Sequence, residues 1–388
     1  MKTILPLIKK KAAIIPLFFM LICISSAFNM PRTAVEAAGT YNDTALFLAG
    51  KQLPSRSALK KYTTSSYYRS YRRQIQTGFN RFQKPNLNKM KRWWLSHKPA
   101  SSPDNVLYPF SGPDVGNVLA FFPNKKSYTM FGLEQPGRIP NPYNMSTAQI
   151  HKGMNGVQSS LNTILRVNFF RTKGMKKKLG SKSLNGVASL IFIFLSLNDY
   201  TIVDARRVAI NSAGSLVQGR ASDHKIKWEH PPASRRIPGI EVTFKKGNGR
   251  LQKVRYFMLN VIDYAVTKHS PQFLPYIKAG GPYATFLKSA SYLMHNDKIK
   301  FTKVRAAVLS SSSFIVQDDS GVPLRYLPSS RWTVSFHGVY DRPIPLFGHR
   351  TQKDLKLAMK KKSTGVLPFS YGYDYRKGES NLITARKK

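Results

Sequence analysis

The sequence predicts an α/β protein with a mixed β-sheet, preceded by a helical N-terminal segment. Two strand-helix-strand units, near residues 106–133 and 285–317, alternate short apolar runs with helical patterns. Between them, Gly247-Asn248-Gly249 separates two apolar runs, which is the signal of a β-hairpin and hence of an antiparallel pair. An open sheet of the Rossmann type is one form that this architecture takes.

Residues 1–37 have the features of an export signal. Lys2 and Lys9 to Lys11 are followed by the apolar run 12–28 and then by small residues at 35–37. The protein is therefore expected to be exported, to a periplasmic or extracellular location, with an uncleaved N-terminal membrane anchor as the alternative. Cys23, the only cysteine, lies in this segment, so the mature chain must be held together by its core instead of disulfides.

Residues 38–98 are predicted to be helical, and 104–388 are predicted to form the α/β domain after a Pro- and Ser-rich linker. In the helical segment, apolar side chains recur at three- and four-residue spacing from about Ser65: Tyr68, Tyr71, Ile75, Phe79 and Phe82. Arginines between them could form a stacking platform for single-stranded nucleic acid. The spacing is more typical of a helix face buried in a core.

The chain is strongly basic, with 62 Lys and Arg against 18 Asp and Glu and a formal net charge of +44. One explanation is adaptation to an acidic medium, which predicts stability that is nearly constant from about pH 7 to about pH 3. The alternative is adhesion to an anionic envelope polymer or membrane surface. Nucleic-acid binding is disfavoured because the basic residues are spread along the chain instead of clustered.

The first predicted unit carries the best candidate site. Its strand, 106–110, leads into Ser111-Gly112-Pro113-Asp114 and a helix over 115–122, which fits Ser111 or Gly112 as N-cap with Pro113 and Asp114 in the first turn. Glu134 follows the next strand, 22 positions after Gly112, where an acid often holds a ribose. Asp114 disfavours phosphate, so a cationic or hydroxylated ligand suits this crevice better.

Two further segments place cations after apolar residues. Arg171 and Lys173 follow an aromatic pair and could flank the crevice, or simply end a solvated helix. Lys288, Ser289, Ser291 and His295 lie in one short stretch, in which Lys288 could act as a base for Ser291 if the segment were helical. The alternative for this stretch is a packed, hydrogen-bonded element.

Asp318 and Asp319 follow a predicted strand, with Arg325 farther along the same segment. This is either a hairpin turn or a cation-binding acidic loop. Adjacent carboxylates repel one another, so something must offset that repulsion. The eight histidines are scattered and no H-E-x-x-H is present, so no metal site is predicted, and no cofactor is identified.

Two resemblances add to this interpretation. The segments YPFSGPD, FFRTK, FLKSASYLMH and QDDSGVPLRY resemble, in order, an uncharacterised family of exported bacterial proteins with no known activity, over about 41–385. The unit around YPFSGPD also looks like the first strand-loop-helix-strand of methionine-sulfonium-dependent methyltransferases, in which an acidic loop and a strand-end acid face the cofactor.

The sequence thus predicts an exported envelope protein that binds a small polar or zwitterionic ligand in a crevice at strand carboxyl ends. The first alternative is a hydrolase or transferase, with a methyltransferase-like fold, that uses Asp114, Asp318 or Ser291. The second is a basic, adhesive envelope protein with no site at these residues. The sequence lacks a P-loop and a G-x-S-x-G elbow, so the familiar motifs of nucleotide hydrolysis and α/β-hydrolase chemistry are missing.

Overall fold

The structure is a computed structural model that describes residues 32–168, 184–220, 222–223, 236–298, 300–373 and 378–388. The described residues form one ten-stranded mixed sheet. Its strands, in spatial order, are β4 (Leu216–Gln218), β3 (Thr201–Ile210), β5 (Ile237–Lys245), β6 (Gln252–Met258), β2 (Ser127–Gly132), β1 (Asn105–Pro109), β7 (Tyr283–Leu287), β8 (Ser312–Gln317), β10 (Asn381–Lys387) and β9 (Trp332–Gly338). The predicted α/β fold with a mixed sheet is confirmed.

The centre of the sheet is parallel and its flanks are antiparallel. β6, β2, β1, β7 and β8 run in one direction, and Leu107 of β1 faces Thr129 of β2 on one side and Thr285 of β7 on the other. The antiparallel pairs are β5 with β6, β3 with both β4 and β5, and β10 with both β8 and β9. The chain leaves β1 toward β2 and later returns to its other side at β7, so β1 lies at a topological switch point.

Helices cover both faces of the sheet. They are α1 (Arg32–Leu48), α2 (Lys60–Thr63), α3 (Ser66–Phe82), α4 (Asn88–His97), α5 (Val115–Phe121), α6 (Thr147–Val167), α7 (Gly186–Leu197), α8 (Asp263–Lys268), α9 (Phe273–Gly280), α10 (Thr302–Ser311) and α11 (Lys353–Lys362), with a π turn at Gln83–Leu87. None of the helices among the described residues is long and apolar enough to cross a membrane.

The N-terminal helices belong to the main core. Ser65 caps α3 by accepting a hydrogen bond from the backbone N–H of Tyr68, as the sequence indicated. The five apolar residues of the predicted stripe are all buried, and they pack in one cluster with α5, α7 and one face of the sheet. The stripe is therefore core, and its aromatic rings are not available as a nucleic-acid platform.

The two faces of the sheet carry separate cores because side chains alternate along each strand. Val106 and Tyr108 of β1 point into the cluster with α1 and α3 to α7, whereas Leu107 points into the cluster with α8 to α10. One predicted boundary is wrong, because the N-cap of α5 is Asp114, not Ser111 or Gly112. α1 begins at Arg32, inside the predicted signal, and the end of that signal at residue 37 stays a prediction.

Candidate functional site

A cavity of about 210 Å³ lies where β1, β2, β6 and β7 end at the carboxyl edge of the sheet. We call it the carboxyl-edge cavity. Its polar lining is Asp114, Glu134, Asn260, Lys288, Ser289 and Ser291, and its apolar walls are Phe110, Phe131, Leu133, Leu259, Val261, Leu293 and Phe301. Five of the predicted site residues, from segments up to 177 positions apart, therefore converge, because parallel strands present their carboxyl ends at the same edge.

Asp114 and Lys288 form a buried ion pair in the cavity wall. The Nζ of Lys288 lies 2.9 Å from Oδ2 of Asp114, and both side chains are at most 5% exposed. The same carboxylate oxygen accepts a hydrogen bond from Tyr108 at 2.9 Å, and Oδ1 accepts one from the amide of Asn117 at 2.7 Å. Lys288 also donates to the backbone carbonyl of Asn168. Asp114 is thus both the helix cap and the partner of a cation from the neighbouring strand.

Burial, followed in size by the negative charge of Asp114, raises the pKa of Tyr108 well above its ordinary value. Tyr108 therefore remains a hydrogen-bond donor at any physiological pH, and its hydrogen bond holds the Asp114 carboxyl group in place.

The second carboxylate, Glu134, lies just beyond the end of β2. It is 4% exposed, and the hydroxyl of Tyr256 lies 3.0 Å from its backbone carbonyl and 3.2 Å from Oε2. Burial and then Glu134 raise the pKa of Tyr256 far above the ordinary value, so this hydroxyl is a donor. Gly132 makes room for the carboxylate, since a Cβ at that position would lie 2.8 Å from Oε2 of Glu134.

The loops around the cavity contain backbone conformations that side chains rarely adopt. Phe110 has φ 58°, Ser289 φ 54°, Ser291 φ 55° and Tyr292 φ 53°, all in the left-handed region. Gly112, with φ 48°, lies in the same loop as Phe110. Non-glycine residues in this region cost stability and cluster at ligand sites, where the surrounding structure holds them.

The helix that a Ser291–Lys288 pair needs does not form, because residues 288–292 are turn and bend. The hydroxyl of Ser291 lies 2.7 Å from that of Tyr373, which donates to the carbonyl of Ser289 at 3.0 Å. Lys288 is occupied by Asp114 and Asn168. Among the residues that the structure describes, the hydrogen-bond partner of Ser291 is thus a tyrosine hydroxyl and not a base, and its role in the cavity is that of a hydroxyl lining group.

Asp318 and Asp319 do not line the carboxyl-edge cavity; both are buried in a network that ties β7, β8 and β10 together. Asp318 accepts from the backbone N–H of Ser289 at 2.8 Å and from Ser320, and Asp319 accepts from Tyr292 at 2.5 Å and Asn381 at 3.0 Å. Burial raises the pKa of Asp318, and burial together with Asp318 raises that of Asp319 to about 7. These donors and a retained proton offset the expected repulsion between adjacent carboxylates.

The remaining predicted site residues lie elsewhere. His295 is buried, and burial followed by the charges of Arg325 and Arg350 lowers its pKa to about 3, so it is neutral. Arg325 pairs with Asp297 at 2.7 Å and donates to the carbonyl of His295 at 2.8 Å. Arg171 and Lys173 lie outside the described residues. No group of three metal-ligating side chains occurs within the part of the chain that the structure describes.

Four lining or supporting residues were missed from the sequence: Tyr108, Phe110, Asn260 and Asn117. Asn260 follows the apolar strand β6 and so repeats the pattern of a polar residue after a buried strand that singled out Glu134. Tyr108 looked like an ordinary strand residue, and only its hydrogen bond to Asp114 reveals its role.

No protein family, no curated protein and no solved structure matches this chain. The resemblances noted in the sequence stay predictions, and a function must be inferred from the geometry of the cavity.

Proposed function

We propose that the protein binds a small organic ligand, hydroxylated and either neutral, cationic or zwitterionic, in the carboxyl-edge cavity. One observation carries this proposal. At the switch point of the sheet, a largely apolar cavity contains two buried carboxylates, Asp114 and Glu134, and one ammonium group, Lys288. Open α/β sheets bind their ligands at this place.

The charges of the lining select the ligand class. Lys288 pairs with Asp114 at 2.9 Å, and Glu134 is the second buried carboxylate of the lining. Two carboxylates beside one ammonium group favour hydroxyl and cationic groups over phosphates and carboxylates. Strand-end carboxylates of this type accept hydrogen bonds from paired hydroxyls.

The apolar walls indicate that the ligand also has a flat or aliphatic part. Phe110, Phe131 and Phe301 come from three different segments and face one space, and Asn260 offers both a donor and an acceptor at its rim. Cavities of about 150 Å³ hold a single benzene ring, so about 210 Å³ accommodates one ring with its substituents.

A second candidate is a group-transfer enzyme of the methyltransferase type. Numbered along the chain without the β3–β5 insertion, the strands run 3-2-1-4-5-7-6 with only strand 7 antiparallel, which is the order of the sulfonium-dependent methyltransferases that the first unit resembles. In this candidate the cavity holds the cofactor. That cofactor is a cytoplasmic metabolite, so export of the protein would count against the methyltransferase candidate and leave the first one. A shared strand order of this kind supports a function but does not assign one, because one fold carries many functions.

The test is a thermal-shift measurement on the full-length protein with adenosine, S-adenosylmethionine and glycine betaine, and with AMP as the anionic counterpart. A ligand at 100 times its Kd stabilises the folded state by about 2.7 kcal/mol. We expect a stabilising hit that is lost in Glu134→Gln and retained in Asp297→Asn, an exposed carboxylate outside the cavity.

Stabilisation by AMP alone, or a hit that persists in Glu134→Gln, would contradict the proposal. A hit with S-adenosylmethionine, followed by release of S-adenosylhomocysteine in the presence of a methyl acceptor, would favour the second candidate.

A further inference from the structure

A second cavity, of about 510 Å³, lies at the opposite, amino edge of the parallel strands. It is bounded by the end of α4, by the residues that lead into β1 and β2, and by the turn after β5. We call it the amino-edge groove. It is independent of the carboxyl-edge cavity because none of its lining residues is shared with that cavity.

Four lysines line the groove: Lys91, Lys98, Lys125 and Lys246. No carboxylate is among the lining residues, all of which the structure describes. None of the four lysines forms a salt bridge with a carboxylate in the described part of the chain. Two acids that act on the groove lysines through their charge form ion pairs with other residues: Asp199 pairs with Lys51 at 2.7 Å, and Asp104 pairs with Arg250 at 3.0 Å.

The ammonium groups are held close enough to repel one another. Burial, and then the charge of Lys246, lowers the pKa of Lys91, and Asp199 opposes this effect. Lys91 is half-buried and donates to the amide oxygen of Asn198 at 3.3 Å. Burial lowers the pKa of Lys125; Asp104 opposes this effect, and Arg250 and Lys98 add to it. An anion in the groove would relieve both repulsions.

Apolar surface lies beside these cations. Leu95 is 66% exposed although it is a large aliphatic residue, and the buried Trp94 and Tyr200 form the wall behind it. Lys246 lies 5.5 Å from the centre of the Tyr200 ring, so one cation already rests against an aromatic face. A ligand with only negative charges would leave this apolar surface in water.

The lining itself indicates the charge of an occupant. All four of its charged side chains are lysines, and no carboxylate of the described residues lines the groove. The groove therefore favours an anionic occupant from outside the chain.

We propose that the amino-edge groove is a second ligand site, specific for a small organic phosphate that carries an aromatic or aliphatic group. The phosphate would lie between Lys91 and Lys246, and the apolar part would cover Leu95. Because the groove and the carboxyl-edge cavity favour opposite charges, one protein would hold an anionic and a neutral or cationic ligand at the two edges of one sheet.

The test is isothermal titration calorimetry on the full-length protein with phenyl phosphate, inorganic phosphate and phenol as probes. We expect phenyl phosphate to bind more tightly than either of the others. Lys91→Met and Lys246→Met should each weaken it about ten-fold or more, because each removes a charge-assisted contact to the phosphate. Lys246 is exposed, so its replacement leaves the fold intact.

The matched control is Lys268→Met, which removes the same charge from an exposed position on α8. Equal weakening in this control would show that only the overall charge attracts the probe, and the proposal would be wrong. Equal affinity for inorganic phosphate and phenyl phosphate would also overturn it, because the apolar wall would then contribute nothing. Loss of binding in the two groove variants alone, with unchanged thermal unfolding, would support it.

Discussion

Replacing Lys288 with Met would leave the carboxylate of Asp114 buried without its cation. Removing one partner of a buried ion pair typically costs about 3–5 kcal/mol. Asp114 keeps two neutral donors, Tyr108 at 2.9 Å and the Asn117 amide at 2.7 Å, and each contributes about 1 kcal/mol. We therefore expect the lower end of the range, a loss of about 3 kcal/mol in the free energy of unfolding.

The assay is urea denaturation followed by far-UV circular dichroism at pH 7, with linear extrapolation to zero denaturant. The double variant Lys288→Met/Asp114→Asn removes both charges and should lose less than the sum of the two single variants. Lys268→Met, at an exposed position, is the control and should change stability by less than about 0.5 kcal/mol. A loss below about 1 kcal/mol in Lys288→Met would refute the ion pair as a structural element of the site.

Three further substitutions test the neighbouring chemistry. The folded-state pKa of Asp319, about 7, lies above the ordinary 3.8, so between these values this group lowers the free energy of unfolding by up to about 1.4 kcal/mol for each unit by which the pH rises. Asp319→Asn should abolish this contribution. Glu241→Gln should lower the free energy of unfolding by about 1–2 kcal/mol at pH 7 and by less near pH 3. Burial raises the pKa of Glu241, but Arg255 and Arg206 outweigh it, and the stabilisation by this lowered pKa disappears as pH falls. Gly132→Ala should cost about 1–3 kcal/mol and weaken any ligand that contacts Glu134, since the new Cβ would lie 2.8 Å from its carboxylate.

Urea denaturation at several pH values checks the first two substitutions, and thermal shift with and without ligand checks the third. A slope that survives in Asp319→Asn would assign the titration to another group. A cost of Glu241→Gln that does not depend on pH would mean that its carboxylate is not the source of the stabilisation. The control for Gly132→Ala is Gly78→Ala in α3. The new Cβ would lie 3.4 Å from its nearest neighbour, Oδ1 of Asn162, and a small gain in stability is expected because Ala favours the helix more than Gly.

The elements that the sequence predicted correctly are those with strong local signals. β1, β2, β7 and β8 are short apolar runs bounded by polar residues, and the Gly247-Asn248-Gly249 turn predicts the antiparallel pairing of β5 with β6. α3 was predictable because its buried side chains repeat with the helical period and Ser65 caps it. In each case the residues that define the element lie within it.

The missed strands lack such signals. β3 contains Asp204, Arg206 and Arg207, and about half of its residues are not buried, so its sequence has the polar character of a loop. β9 and β10 pair with each other although more than forty residues separate them. Their pairing depends on contacts distant in the sequence, which no local pattern reports.

The candidate site was predictable in part for the same reason. The sequence indicated that Asp114 and Lys288 each follow a strand, but their contact across 174 positions requires the pairing of β1 with β7. Asp318 has the same local character, yet its loop turns toward β10, where Asn381 holds the neighbouring Asp319. A polar residue after a strand thus predicts the edge of the sheet at which it lies and leaves the cavity that it lines undetermined.

The distribution of carboxylates bears on the basic character of the chain. Seven acidic residues are buried in the part of the chain that the structure describes: Asp43, Asp114, Glu134, Asp223, Glu241, Asp318 and Asp319. Their burial leaves the positive charge in excess on the surface, and these acids serve as partners within the fold. This pattern fits both an acidic medium and attraction to anions, so charge alone does not separate those explanations.

The dependence of stability on pH does separate them, and the buried acids and histidines determine that dependence. As pH falls from 7 toward 4, protonation of Asp319 stabilises the folded state, because its pKa is higher there than in the unfolded chain. Below about pH 4.5, Glu241 loses its stabilising pair with Arg255 and Arg206. Two buried histidines act in the opposite direction, because burial lowers the pKa of His295 to about 3 and that of His337 to about 4, so the unfolded chain takes up their protons first as pH falls below about 6.5. The opposing contributions of the raised acids and the lowered histidines should keep stability nearly constant from pH 7 to about pH 4.5, below which it should fall. Nearly constant stability over that range is what the acidic-medium hypothesis predicts, whereas a steep loss would contradict it and leave attraction to anions as the explanation of the charge.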